Sequence, residues 1–121
     1  IKDVLIESAQ DVEKAVEKLL HQWDLGLNAL PNVIEILEEN QIKVVEIDAD
    51  EKFDGLSGWA NQKIPIIVIN QNFNVERKRF TELHELGHLL LNINSGKFTY
   101  RDIERFCHQF AGAITCLGLS L

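Results

Sequence analysis

Apolar residues recur along this chain with two different periods, and the changes of period divide it into helical and extended segments. From Ser8 to Trp23, residues Ala9, Val12, Val16, Leu19, Leu20 and Trp23 fall at helical spacing, with Ser8 and Asp11 as a start signal. Pro31 suits the first turn of a second helix running to about Asn40, where its missing N–H costs nothing. The period then shortens. Lys43 to Ile47, Gly55 to Ala60 and Ile64 to Ile69 read as three short strands, the last two joined as a hairpin by Asn61-Gln62-Lys63. Helical spacing returns between Asn74, a suitable N-cap, and Leu91, with Phe80, Leu83, Gly87, Leu90 and Leu91 on one buried stripe. After the loop Asn92 to Lys97, Thr99 and Asp102 make a capping-box-like start to a last helix, whose core face is Ile103, Phe106, Phe110, Ala113 and Leu117. The order α-α-β-β-β-α-α predicts an α+β fold with helices packed on one face of a small three-stranded sheet.

Composition narrows the class. With 121 residues, 45% of them apolar, the chain can bury one core, so residues 1–121 read as a single domain. No apolar run approaches the length of a membrane span and no basic-then-apolar leader is present, so neither a membrane partner nor a secretory signal is read. Cys107 and Cys116 would lie too far apart on one helix to pair, which suits reduced thiols in a cytoplasm. A net charge of -7 argues against direct nucleic-acid binding by this domain, and the cluster Arg77-Lys78-Arg79 is too short to change that.

The candidate chemistry lies in His84-Glu85-Leu86-Gly87-His88. A helix puts positions i and i+4 on one face, so two imidazoles can share one Zn2+ while the adjacent carboxylate reaches a water in the open position. Both histidines fall on the border of the apolar stripe, where the core holds them and a cleft can reach them. Gly87 inside a helix costs about 1 kcal/mol against Ala, which suggests that another backbone packs closely there. Such a site needs a third ligand, and Asp102, Glu104, Cys107, His108 and Cys116 are the downstream candidates. Glu104 sits just off the core face of the last helix with Cys107, His108 and Ala111 around it. It is the preferred ligand, completing a His2Glu set, and His108 is the alternative.

The stretches Arg77 to Leu91 and Ile103 to Ala111 resemble the ImmA/IrrE family of bacterial metallopeptidases. Upstream, Trp23 to Gly26, Leu37 to Val44, Phe53 to Gly58 and Pro65 to Asn70 are similar to the family's layout as well. The resemblance implies a zincin-like fold with an H-E-x-x-H active-site helix and a zinc endopeptidase acting on a regulatory protein, often a helix-turn-helix repressor of a mobile element or stress response. It also implies that the Glu of an E-x-x-C/A-N pattern, here Glu104, is the third metal ligand. The chain departs from that pattern at His108, where the family usually has Asn, and in the ending Cys116 to Leu121. Family members often adjoin a helix-turn-helix domain. Nothing in this chain reads as one, and the start at Ile1 without Met fits a peptidase domain cut from a longer protein.

On this reading His84, His88 and Glu104 hold Zn2+, Glu85 is the general base, and Tyr100 or His108 is the candidate transition-state stabiliser. The alternative is a non-catalytic zinc-binding sensor or interaction module that recognises a transcription factor without cutting it. An intact Glu85 favours the enzyme. The remaining conspicuous residues have plainer expectations: Cys107 as a small core residue, Trp59 as packing, His108 as a structural or surface histidine and Asp48 to Glu51 as a solvated loop. An exposed edge strand beside the active-site helix would bind an extended peptide through main-chain hydrogen bonds.

Overall fold

A computed structural model describes residues 1–24 and 33–115 of the chain. Helix α1 spans Ala9–Gln22, α2 Val33–Glu39, α3 Val75–Leu90 and α4 Tyr100–Ile114; strands β1, β2 and β3 span Lys43–Ile47, Gly55–Ala60 and Ile64–Asn70. The α+β expectation holds, as does every described element. Pro31, Cys116 and Leu117 lie outside the described residues, and so do the expectations placed on them.

The helix starts follow from their caps. The Asp11 carboxylate accepts from the Ser8 backbone N–H at 3.1 Å, and Asn74 Oδ1 accepts from the Arg77 N–H at 2.8 Å. Thr99 and Asp102 exchange side chain to backbone bonds at 3.1 Å in both directions, so the capping box forms with Asp in the usual Glu position. Between β2 and β3, Asn61 and Gln62 have φ of 51° and 60°, and the Lys63 N–H donates to the Ala60 carbonyl at 3.0 Å. Two successive left-handed residues match the right-handed twist of the flanking strands.

The sheet order is β1-β3-β2, with β1 parallel and β2 antiparallel to β3. Strand β3 is therefore central, and its alternate residues Ile67 and Ile69 are fully buried against the helices. Its last residue, Asn70, is also fully buried. The Asn70 amide donates to the carbonyls of Ala49, Asp50 and Phe53, and so ties the β1–β2 connection down. Helix α3 packs on β2 and β3, α4 packs on α3, α1 on α4, and α2 on β1 and α3. Leu56 and Ile64, half exposed, project from the opposite side.

Two packing expectations need correction. Helix α3 is buried on a broader front than one stripe: Leu86 and Leu89 join Leu83 and Gly87 in the core, while Phe80 and Leu90 are only partly buried. The cause is its position between the sheet and α4, which leaves only a narrow strip to solvent. On α4 the core face is Cys107, Phe110, Ala111 and Ile114, with Ile103, Phe106 and Ala113 at its margin. Small residues take the seam because α3 comes so close. A Cβ on Gly87 would stand 3.1 Å from Phe110 Cδ2 and 3.3 Å from the Cα and Cβ of Cys107. The close backbone approach expected from Gly87 is thus present, and Cys107 is the small core residue expected. Burial pushes its thiol up to about 12, which makes it unreactive.

Candidate metal centre

Three elements converge on one cleft: α3 forms its floor, β2 one wall and the start of α4 the other. Strand β2 lies against α3 because Gly55 has no side chain. A Cβ there would fall 2.7 Å from Thr81 Cγ2 and 2.8 Å from the Val68 carbonyl oxygen. The close packing at Gly87 does the same for α4.

The helical phase of α3 turns His84 and His88 to the same side, with ring centroids 5.1 Å apart. Glu104, one turn into α4, lies between them. Its Oε2 is 2.8 Å from His84 Nε2 and its Oε1 2.8 Å from His88 Nε2. Burial works to raise the Glu104 carboxyl, but the charges and hydrogen bonds of His84 and His88 outweigh it and hold the group below its usual value. Both Nε2 atoms are thus within hydrogen-bond distance of this one carboxylate, and their lone pairs are the ones a cation placed there would take. His84 Nδ1 is buried without a hydrogen-bond partner, so Nε2 is the nitrogen this ring offers to the cleft.

Glu85 projects beside the pair. The Ser57 hydroxyl on β2 donates to Glu85 Oε1 at 2.7 Å. The ligand-capable atoms of His84, Glu85 and His88 lie within 4.8 Å of one another. Two imidazole nitrogens and carboxylate oxygens gathered this closely are a donor set for a divalent cation of the zinc type. The convergence of both Glu104 oxygens on both Nε2 atoms adds a second carboxylate to that set, so the residues present fit a metal ion.

Around this centre the cleft has two bays. One is lined by Ser57, Gly58, Trp59, His88 and Leu89, the other by Phe53, Arg77, Phe80, Thr81, His84 and His108. Glu85, Tyr100 and Glu104 border both. Tyr100 is 76% exposed, and the nearby Glu104 carboxylate, first by its charge and then by hydrogen bonding, pushes the phenol upward. The phenol therefore keeps its proton available for donation. His108 is exposed on one side only, its ring set edge-on against Phe80 at 4.7 Å and His84 at 5.5 Å. Of the two candidate stabilisers, Tyr100 is thus the one shared by both bays. Trp59, expected as packing, is half exposed at the rim of its bay instead.

Sequence reasoning missed Ser57. Nothing in Gly55-Leu56-Ser57-Gly58 distinguishes a functional hydroxyl from turn chemistry. Its partner lies 28 residues downstream and is reached only once the register of β2 is known.

The IrrE N-terminal-like domain of the M78 peptidases matches residues 37–115, from the end of α2 through α4. The chain belongs to this family. Comparison with curated proteins and with solved structures gave no significant match. Membership of the M78 peptidases points to metallopeptidase chemistry, and the His84-Glu85-His88 group could hold the metal that such peptidases require. The matched span contains β2, α3 and α4, and with them His84, Glu85, His88, Tyr100, Glu104 and His108. No helix among the described residues is long and apolar enough to cross a membrane.

Proposed function

We propose that this chain is a zinc-dependent endopeptidase that cuts a regulatory protein in the cytoplasm, with a helix-turn-helix repressor as its substrate. The observation that carries the chemistry is the clasp of both imidazole Nε2 atoms by the two oxygens of one carboxylate, with a second carboxylate, Glu85, free of that clasp. His84, His88 and Glu104 would hold the ion. A bound Zn2+ supplies Lewis-acid chemistry, acidifying a water and polarising the scissile carbonyl.

The remaining work belongs to the chain. Glu85 takes the proton of the attacking water and returns it to the leaving amine, the exchange expected of a carboxylate within reach of both atoms. Tyr100, on the rim between the bays, donates its hydroxyl to the developing oxyanion. Among the described residues strand β2 pairs with β3 along one edge only, and its other edge borders the cleft beside α3. An extended segment of substrate added there by main-chain hydrogen bonds would run across the centre, with side chains entering the two bays. A protein segment that is locally extended or can unfold is the substrate this geometry accepts. The free thiol of Cys107 suits a reducing compartment.

The test is metal content by mass spectrometry, followed by incubation with helix-turn-helix repressors from the same genome. Wild type should carry about one zinc per chain, Glu104→Ala should lose it, and Glu85→Gln should keep it while cleavage falls by about 10²- to 10⁴-fold. A wild-type chain that takes up no zinc when supplied would overturn the proposal, and Glu85→Gln cutting at the wild-type rate would remove the base.

A further inference from the structure

The centre contains two carboxylates that an ion could attract. Glu104 touches both imidazoles at 2.8 Å, and Glu85 lies in the same group with His84 and His88, within 4.8 Å. If both ligated, no base would remain and the position needed by water would be filled. Some group must therefore keep the two apart in role. On the Glu85 side the contact is the Ser57 hydroxyl, 2.7 Å from Oε1 and partly buried.

We propose that Ser57 is a positioning residue that sorts the two carboxylates, holding Glu85 off the ion so that Glu104 becomes the ligand and Glu85 remains the base. This rests on the metallopeptidase reading above. A serine hydroxyl has one proton, and here it is given to Oε1. At 2.7 Å the contact has the length of a well-formed O–H···O hydrogen bond. The contact is built into the fold from a distance. Ser57 pairs with the fully buried Ile67 in the antiparallel register, and Gly55 lets β2 close on α3. Side chains alternate along a strand, so Gly55, Ser57 and Trp59 face α3 while Leu56 and Gly58 face away. A slip of one residue would put Leu56 or Gly58 opposite Glu85 and leave the base unheld.

The experiment uses Co2+ as a visible stand-in for the ion and acetohydroxamate as the probe, since a hydroxamate chelates such an ion and gives its proton to a neighbouring carboxylate. Full-length wild type, Ser57→Ala, Ser57→Thr, Ser57→Val, Glu85→Gln and the Ser57→Ala/Glu85→Gln double variant are loaded with Co2+, checked for stoichiometry, and titrated with acetohydroxamate by visible absorption. Wild type and Ser57→Thr should bind within about twofold of each other. Ser57→Ala and Ser57→Val should bind about tenfold more weakly, the scale of a lost hydrogen bond to a charge. The double variant should be no weaker than Glu85→Gln alone, because the serine acts through that carboxylate. Before any probe is added, Ser57→Ala should show a changed Co2+ spectrum as Glu85 joins the ligands, and the double variant should not. The isosteric Thr and Val pair answers the question if the Ala variant loses its fold. Unchanged affinity and spectrum in fully loaded Ser57→Ala and Ser57→Val would overturn the role of Ser57 and leave the peptidase reading standing. A wild-type chain that takes no Co2+ or Zn2+ would overturn both.

Discussion

Replacing Gly55 by alanine adds one methyl group at the point where β2 meets α3. That methyl would lie 2.7 Å from Thr81 Cγ2 and 2.8 Å from the Val68 carbonyl oxygen. Carbon atoms rest about 3.5 Å apart or more, so the first contact is short by about 0.8 Å. The threonine methyl can give way by rotation, but the second contact is to backbone and can be relieved only by moving the strand. Overpacking of this kind costs about 1–3 kcal/mol. Against it stands the smaller entropy of the unfolded chain with Ala in place of Gly, a gain of about 0.4–1 kcal/mol. The net expectation is a loss of about 1–2 kcal/mol, a fall in melting temperature of about 4–8 °C for a chain of this size. Urea denaturation measures the loss, and hydrogen exchange should place the new opening along Gly55–Ala60. Thr81→Ser removes Cγ2, and in the Gly55→Ala background it should recover about 0.5–1 kcal/mol more than in wild type. A Gly55→Ala variant as stable as wild type, or a Thr81→Ser effect independent of residue 55, would refute the close approach.

Two further outcomes follow from buried polar groups. Glu82 is only 3% exposed on α3, and burial first, then the Glu46 carboxylate, pushes its carboxyl up to about 7. The unfolded chain sheds that proton near 4.5, before the folded one does, so the group costs stability as pH rises from about 4.5 to about 7. Glu82→Gln should therefore gain about 2–3 kcal/mol over wild type at pH 8 and little at pH 4; parallel denaturation curves at the two pH values would sink this account. Asn70→Ala strips the partner from the carbonyls of Ala49, Asp50 and Phe53 and should cost about 2–4 kcal/mol. Proteolysis should then nick residues 49–53 first, and a loss below about 0.5 kcal/mol would show the loop holds without it.

Local signals were legible where one element determines them. The caps at Ser8, Asn74 and Thr99, the hairpin at Asn61-Gln62 and the facing of His84 with His88 each depend on a few neighbouring residues, and each is in place. The place of Glu104 beside the two histidines was legible because its position on α4 put it just off the core face. What failed needed two elements at once. The burial of Leu86, Leu89 and Glu82 depends on α3 having a sheet on one side and α4 on the other, which a single helical stripe does not encode. The rotation of the α4 core onto Cys107 and Ala111 is set by Gly87 on the opposite helix. Ser57 and Asn70 carry polar side chains of the kind common in turns, and their partners are far away in sequence.

The two walls of the cleft are seated on α3 through separate glycines, Gly55 within β2 and Gly87 within α3 beneath α4. Cleft width is therefore governed at two places, neither of which is a reacting group. Small steps in side-chain volume at residue 55 would move the wall that carries Ser57, and steps at residue 87 would move the wall that carries Glu104. Selection, or a designer, can retune which polypeptides fit by spacing the walls while leaving the reacting side chains as they are.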